Sequence, residues 1–412
     1  MQGFFKLISS TEFTELLAGF RPLAQETIPV SEALGRVLAQ DITAPEDLPP
    51  FSRSTMDGFA VRARDTFGSS ESEPALFTLK GEIVMGEAGQ QYHLSPGETV
   101  RIWTGGELPQ KGDAVVMVEY SRMLDDSTVE LFRPVAPGEN VITAGEDFRK
   151  GAAVLGHGRN LRPQDLGILS GMGITEISVH CRPKVAILST GDELVSPDQS
   201  PGPGKIRDIN STTLAGLVRE AGGIPTSLGI VGDRFDVLYT TCSRALADAD
   251  LLLLSGGSSV GRRDFTLKVL EGIEGAELLA HGVAIRPGKP TILARLGNKA
   301  LFGLPGHAAS AMVVFYLFVR PLLRMMQGCH TDLGLQQIQA RTAQQIPSAI
   351  GREEYVRVQL SYQEADQPPL ATPVYGKSGL LKPLIQSDGL LRIGRDVEGL
   401  DRGTLAPVLL FP

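Results

Sequence analysis

From Lys184 onward, short apolar runs alternate with segments whose apolar positions recur at helical spacing. KVAILST predicts a strand, 211–221 a helix, IPTSLGIV a strand and 234–249 a helix. DLLLLS predicts the next strand and 264–271 a helix. VAIRP and KALFGLP predict further strands, and 307–327 a long final helix. Strands alternating with helices of this length predict a parallel-type sheet covered on both faces. Ligands of such sheets bind beyond the carboxyl ends of the strands, where the strand order reverses.

The flanking regions carry other patterns. Residues 10–40 predict a helix pair, with Ser10 or Thr11 as a cap and apolar residues at helical spacing through Val30–Leu38. Residues 44–149 hold short β-type runs (FAVRA, ALFTLKGEI, TVRIWTGG, DAVVMVEY, TVELFRPV) between Pro- and Gly-rich turns, which predicts a small all-β unit. A helix is predicted to begin at Pro163 and a strand over 174–179. After residue 330 alternating runs predict a small β-barrel. The fold class expected is multidomain α/β plus β. It comprises a helical linker (1–43 with 150–180), an all-β insert (44–149), an α/β domain (181–330) and a C-terminal barrel (331–412).

Composition narrows the partners. The chain has 412 residues, too many for one compact core, and a net charge of −8 with no basic cluster, so neither nucleic acid nor an anionic membrane is an expected partner. Its 47 glycines exceed the usual ~7% and imply many constrained turns. Three cysteines, far apart and outside any CxxC spacing, exclude a disulfide framework and a structural zinc site and point to a reducing cytoplasm. The first residues lack an export pattern. The apolar stretch 308–319, ending at Arg320 and Pro321, is too short to span a bilayer.

Candidate chemistry gathers in the turns after the strands. Leu188–Leu194 (LSTGDEL) presents the Thr190 hydroxyl, the open Gly191 amide and the carboxylates of Asp192 and Glu193, either as acceptors for a ring with N–H donors or as a helix-capping turn. Lys205–Ser211 (KIRDINS) reads as a helix cap at Asn210 or Ser211. Ser255, Gly256, Gly257 and Ser258 open a loop whose amides suit a phosphate, and Asp264 behind it either caps a helix or holds Mg²⁺. No Walker A spacing is present, which excludes a conventional ATPase. Arg286 and Lys289 flank a Pro-Gly turn, and Pro305, Gly306, His307 and Ser310 open the last helix. In the insert, STMDGFAV with Asp57, the Trp103-Thr104-Gly105 turn and Gly145-Glu146-Asp147 read from composition as turns. No serine or cysteine has a dedicated base.

These motifs in this order resemble the MoeA family of molybdopterin molybdenumtransferases, which includes the E domain of gephyrin. The resemblance covers essentially the whole chain. It implies insertion of molybdate into adenylylated molybdopterin with release of AMP, supported by Mg²⁺. It also implies a homodimer whose composite active site lies between the α/β domain of one subunit and the Asp57 region of the other, working beside other cofactor-biosynthesis proteins. The catalytic candidates it assigns are Asp57, Thr104, Asp147, Asp264 and Lys289, with Asp57 and Asp264 as metal ligands. The pterin nucleotide is assigned Thr190, Gly191, Asp192 and Glu193 from the first turn and Ser255, Gly256, Gly257 and Ser258 from the second. Arg286, Pro305, Gly306, His307 and Ser310 complete that set.

The chain departs from the family pattern at LPGHAASA, where His307 and Ala308 stand for Asn and Pro, and at Arg286, where Lys is common. Two alternatives remain in view: a molybdopterin adenylyltransferase, since the α/β unit alone resembles that sister family, and a non-catalytic pterin-binding scaffold.

Overall fold

The computed structural model describes residues 7–256, 263–329, 334–364, 366–377 and 379–412, with backbone alone for 263–265. Its first helix, Ser10–Leu17, is capped by Ser9. The Ser9 hydroxyl accepts from the Glu12 amide at 3.1 Å while the Ser9 amide donates to the Glu12 carboxylate at 2.7 Å. The cap expected at Ser10 or Thr11 lies one residue earlier. The expected second helix is absent, because the chain forms a strand over Gln25–Pro29 and then only a single 3₁₀ turn, Val30–Glu32. Gly35, at φ +70°, ends that turn. The apolar residues that mimicked helical spacing (Val30, Ala33, Leu38) are still buried, packing with Ile177 and Val179 of the antiparallel partner strand Glu176–His180.

The 44–149 stretch forms a six-stranded curled sheet, in the spatial order Ala114–Met117, Gly58–Val61, Glu98–Ile102, Ala75–Ile83, Thr128–Leu131, Ser121–Asp125. The Gly58–Val61 strand is buried on both faces. Phe59 and Val61 join one apolar cluster and Ala60 the other, which is why the sequence shows a continuous apolar run there. Gly58 is required by close approach: a Cβ there would lie 2.0 Å from the Val116 carbonyl oxygen.

The α/β sheet has six strands in the order Ile224–Val231, Lys184–Thr190, Leu251–Gly256, Lys299–Leu304, Ile292–Leu296, Glu277–His281. The first four are parallel, and the last two are joined on by antiparallel pairings, so that Ile292–Leu296 alone runs the other way. Alternate residues feed two cores. Val185, Ile187, Leu251 and Leu253 face the long final helix, and Ala186, Leu188, Leu252 and Leu254 face the helices Phe235–Asp248 and Arg263–Gly272. The strand expected at VAIRP is not part of this sheet. Only Ile285–Arg286 is extended, and it pairs in parallel with Glu353–Glu354 of the C-terminal region. Pro287 and Pro290 cannot donate to a ladder, so the run ends there. The last two strands of the sheet, Ile292–Leu296 and the edge strand Glu277–His281, were not foreseen from the sequence.

The final helix runs from Ala308 to Met326, as its spacing predicts, continuing past Arg320-Pro321 where the apolar stretch ends, with a π turn over Phe315–Val319. The widened turn accommodates Pro321, which has no N–H to donate. This helix is long and apolar enough to cross a membrane by length and composition, with mean hydropathy 1.5, yet 89% of it is buried inside the protein. It is a core helix, and its one interior cation near Pro321, Arg320, bonds Glu220 at 2.6 Å. The C-terminal strands Glu353–Ser361, Leu370–Pro373, Gln337–Thr342, Leu405–Leu410 and Gly389–Ile393 pair in that order, and the last returns to the first, closing a five-stranded barrel.

Candidate active site

Three turns of the insert meet one another. Ser54 exchanges backbone hydrogen bonds with the 103–106 turn, its amide donating to Gly106 O at 3.0 Å and its carbonyl accepting from Gly105 at 2.8 Å. The 141–148 segment pairs with Arg53 and Ser54, and its Gly145 and Asp147 amides donate to Pro49 and Leu48. Asp57, Thr104 and Asp147, far apart in sequence, thus sit on turns locked to a common segment. Asp57 is exposed, and its Oδ1 accepts from the Thr104 amide at 2.8 Å and the Thr104 hydroxyl at 2.7 Å. The Thr104 amide, followed by its hydroxyl, holds the Asp57 carboxyl below its ordinary value, so it stays ionised into mild acid. Its Oδ2 has no hydrogen-bond partner among the described residues and is a hard oxygen of the kind Mg²⁺ takes alongside substrate phosphate. Among the described residues no cluster of three acidic, His or Cys side chains would enclose a metal by itself.

A second group forms at the carboxyl ends of the parallel strands. Lys184–Thr190 lies between Ile224–Val231 and Leu251–Gly256, so the chain runs outward to one side and then crosses to the other: the strand order reverses there. The cavity at this point, about 200 Å³, is lined by Thr190, Glu193, Asp208, Asn210, Ser255, Gly256, Gly306, His307 and Ala308, and by Gly379 of the barrel. Two helices, Asn210–Glu220 and Ala308–Met326, begin at its wall and direct the positive ends of their dipoles there. Ser211's amide donates to Asp208 at 3.2 Å, so Asp208, not Asn210 or Ser211, supplies the capping side chain of the first helix. Gly191, at φ +154°, leaves room for the Glu193 carboxylate, which would lie 2.7 Å from a Cβ there. Asp192 is not in the lining; its carboxylate accepts from the Asp233 amide at 3.1 Å. Pro305 likewise lies outside the lining.

Arg286, Lys289 and Ser310 face a different space. A cavity of about 410 Å³ opens between the 285–290 loop, the start of the final helix and the barrel strand Glu353–Ser361. Its lining carries five cations, Arg286, Lys289, Arg352, Arg357 and Lys377, against one carboxylate, Glu354, in a chain whose net charge is −8. Arg286 pairs with Glu354 at 3.2 Å. Arg357 donates from Nη2 to Gly376 O at 2.8 Å, while its Nη1 and the Nε of Arg352 are buried without partners among the described residues. Buried N–H groups without acceptors are a prepared anion site. Gly288, at φ +120°, fits because a Cβ would lie 2.7 Å from Ile285 and 2.8 Å from Val314. The two cavities adjoin: the 306–310 turn gives Gly306, His307 and Ala308 to one and Ala309 and Ser310 to the other. The barrel loop likewise gives Gly379 to one and Lys377 to the other.

Gly257, Ser258 and the side chain of Asp264 lie outside the described residues. Asp57, Thr104 and Asp147 line neither of these cavities. Sequence reasoning missed Asn210 as more than a cap, and it missed Arg352, Arg357 and Lys377. Arg357 shares an outward face of its strand with Glu353 and Tyr355, which reads in sequence as an ordinary barrel exterior. Docking of the barrel onto the α/β unit buries Glu353 and Tyr355.

Comparison with known proteins follows the same division. Residues 8–173 match the MoeA N-terminal region (domains I and II), residues 186–325 a "Probable molybdopterin binding domain", and residues 339–411 the MoeA C-terminal region (domain IV). The chain is 33% identical to a molybdopterin molybdenumtransferase of Bacillus subtilis, over 94% of this chain and 90% of that one. It is 34% identical to molybdopterin molybdenumtransferase 2 of Mycobacterium tuberculosis, over 95% of each. A solved molybdopterin biosynthesis MoeA protein from Pyrococcus horikosii superposes with a TM-score of 0.84 at 35% identity, covering 99% of this chain and all of that one. With the folded elements, the paired cavities and full-length likeness in agreement, the chain belongs to the MoeA family.

Proposed function

We propose that the protein is a molybdopterin molybdenumtransferase of molybdenum cofactor biosynthesis that inserts molybdate into adenylylated molybdopterin and releases AMP. The observation that carries this reading is the adjacency of two unlike cavities across the 306–310 turn. One offers ring-binding acceptors and two helix starts; the other offers five cations to an oxyanion. Molybdate is a compact dianion, and the second cavity holds it by charge and directed N–H groups beside the bound pterin. Lys289 and Arg286 would offset charge as the phosphoanhydride opens.

Asp57, together with substrate phosphate, would hold Mg²⁺, which when bound would polarise that phosphoanhydride. Asp57 is kept ionised by Thr104 and so is ready for a cation at neutral pH. Within one chain Asp57, Thr104 and Asp147 line neither cavity, which supports a homodimer whose site combines the turns of one subunit with the cavities of the other. Three free cysteines suit a cytoplasmic setting. Because barrel residues wall the anion cavity, the arrangement favours insertion over adenylyl transfer by an α/β unit alone. The test supplies purified protein with adenylylated molybdopterin, Mg²⁺ and molybdate. Molybdate-dependent AMP release is expected, and its absence overturns the reading.

A further inference from the structure

One side chain at the strand-end cavity is bonded in a way that its role as a helix residue does not explain. Asn210, the first residue of the helix Asn210–Glu220, is only 8% exposed. Its amide nitrogen donates to Ser255 Oγ at 2.7 Å and to Gly306 O at 2.8 Å. A main-chain carbonyl can only accept, so the Gly306 contact fixes which end of the amide is nitrogen. Both N–H groups are therefore spent on the protein. The remaining atom, Oδ1, is buried and has no hydrogen-bond partner among the described residues.

Buried amide oxygens are almost always paired, and an unpaired one in a ligand cavity marks where a donor from the ligand belongs. Of the other charged groups in the lining, Glu193 and Asp208 bring carboxylates to the same space, while the Arg207 Nε is spent on the Pro197 and Gln199 carbonyls. The cavity wall therefore seeks N–H donors, while the two helix starts nearby seek negative charge. A fused heterocycle with an amino-amide edge at one end and a phosphate at the other satisfies both demands.

We propose that Asn210 Oδ1 is a specificity-determining acceptor, reading one N–H of the pteridine amino-amide edge (the 2-amino group or N3–H), with Ser255 and Gly306 clamping the amide so that only its oxygen faces the ligand. The inference rests on the pterin reading above. A site built around an acceptor rejects analogues lacking the matching donor far more strongly than it rejects a change in apolar size, because the buried acceptor is then left unpaired. The Ser255 and Gly306 contacts also couple the strand Leu251–Gly256 and the 306–310 turn to this recognition.

The test measures, by ligand-observed NMR, the binding of pterin, its 2-oxo analogue lumazine and N3-methylpterin to the full chain. The wild type is expected to prefer pterin over one of the two analogues by about tenfold or more. Asn210→Leu, with folding verified by its melting temperature, is expected to flatten that ratio to near unity. Ser255→Ala, which leaves the carbonyl in place, should weaken all three ligands while preserving the ratio. Equal binding of all three ligands to the wild type overturns the inference and leaves the pterin reading standing, and needs no variant to fold. A ratio unchanged in Asn210→Leu overturns it as well. Failure of pterin to bind the wild type at all overturns both.

Discussion

Gly256 sits opposite Thr190 at the ends of two parallel strands, so close that a Cβ on Gly256 would lie 2.1 Å from Thr190 Cγ2 and 2.5 Å from its carbonyl oxygen. The obstructing atoms are backbone and a β-branched side chain, neither of which can swing away. Gly256→Ala is therefore expected to force the strand ends apart, costing about 1–3 kcal/mol in urea melts and weakening pterin binding with it. Gly272→Ala is the control, since its Cβ would meet nothing nearer than 3.6 Å. It should be neutral to slightly stabilising in the same melts.

Asp57 touches neither strand-end cavity within its own chain, so its loss should separate binding from turnover. Asp57→Ala is expected to abolish molybdate-dependent AMP release while leaving the pterin dissociation constant within about twofold of wild type. A parallel loss of binding would make Asp57 a ligand contact or a structural residue.

The Thr104 hydroxyl bond to Asp57 has a pH consequence. Thr104→Val removes the hydroxyl donor and keeps the amide donor, so the Asp57 pKa should rise toward its ordinary value. Activity that needs the ionised carboxylate then fails at a higher pH. The acid limb of the kcat/KM profile is expected to move upward in Thr104→Val, and an unmoved limb would show that Asp57 ionisation does not govern it.

Arg357 brings to the cation-lined cavity a buried N–H without a partner among the described residues. Arg357→Ala should raise the KM for molybdate about tenfold or more while changing the KM for adenylylated molybdopterin less than about twofold. Steady-state kinetics with each substrate varied in turn decides it. Equal effects on both would place Arg357 on the pterin side.

Asp165, 3% exposed at the start of the helix Pro163–Gly171, binds Arg159 at 2.7 Å and Arg162 at 3.2 Å. Burial alone would raise its pKa, but the bonds from both arginines outweigh burial and hold it well below the usual range. A depressed folded pKa gives stability that is complete above the unfolded value and is lost as pH falls toward the folded one. Asp165→Asn should therefore cost about 1–3 kcal/mol near neutral pH. That penalty should shrink below about pH 4, as measured by urea melts across the range.

What was legible in the sequence is what local chemistry determines. The runs KVAILST and DLLLLS are buried on both faces of a parallel sheet, and such strands must read as continuous apolar stretches. The turns behind them could be recognised because bulk is excluded there, as Gly256 demonstrates. Val30–Leu38 misled because residues buried at three- and four-residue spacing need not be helical when a partner strand buries them. Ile285–Arg286 misled because its partner is some seventy positions away, in the barrel. Arg352 and Arg357 were invisible for the same reason: nothing along a strand distinguishes an arginine facing water from one facing a docked neighbour.

The parallel pairing of Ile285–Arg286 with Glu353–Glu354 divides the inheritance of the site unequally. In the proposed reading, the grip on the ring draws almost entirely on residues 190–308, one contiguous block. The grip on the anion is written in two distant stretches that must be inherited together and in register. Loss or replacement of everything after residue 336 would leave a module that still holds a pterin but has lost one wall of its anion cavity. Drift in the barrel alone, by contrast, could retune which metal oxyanion is accepted while pterin recognition stays untouched.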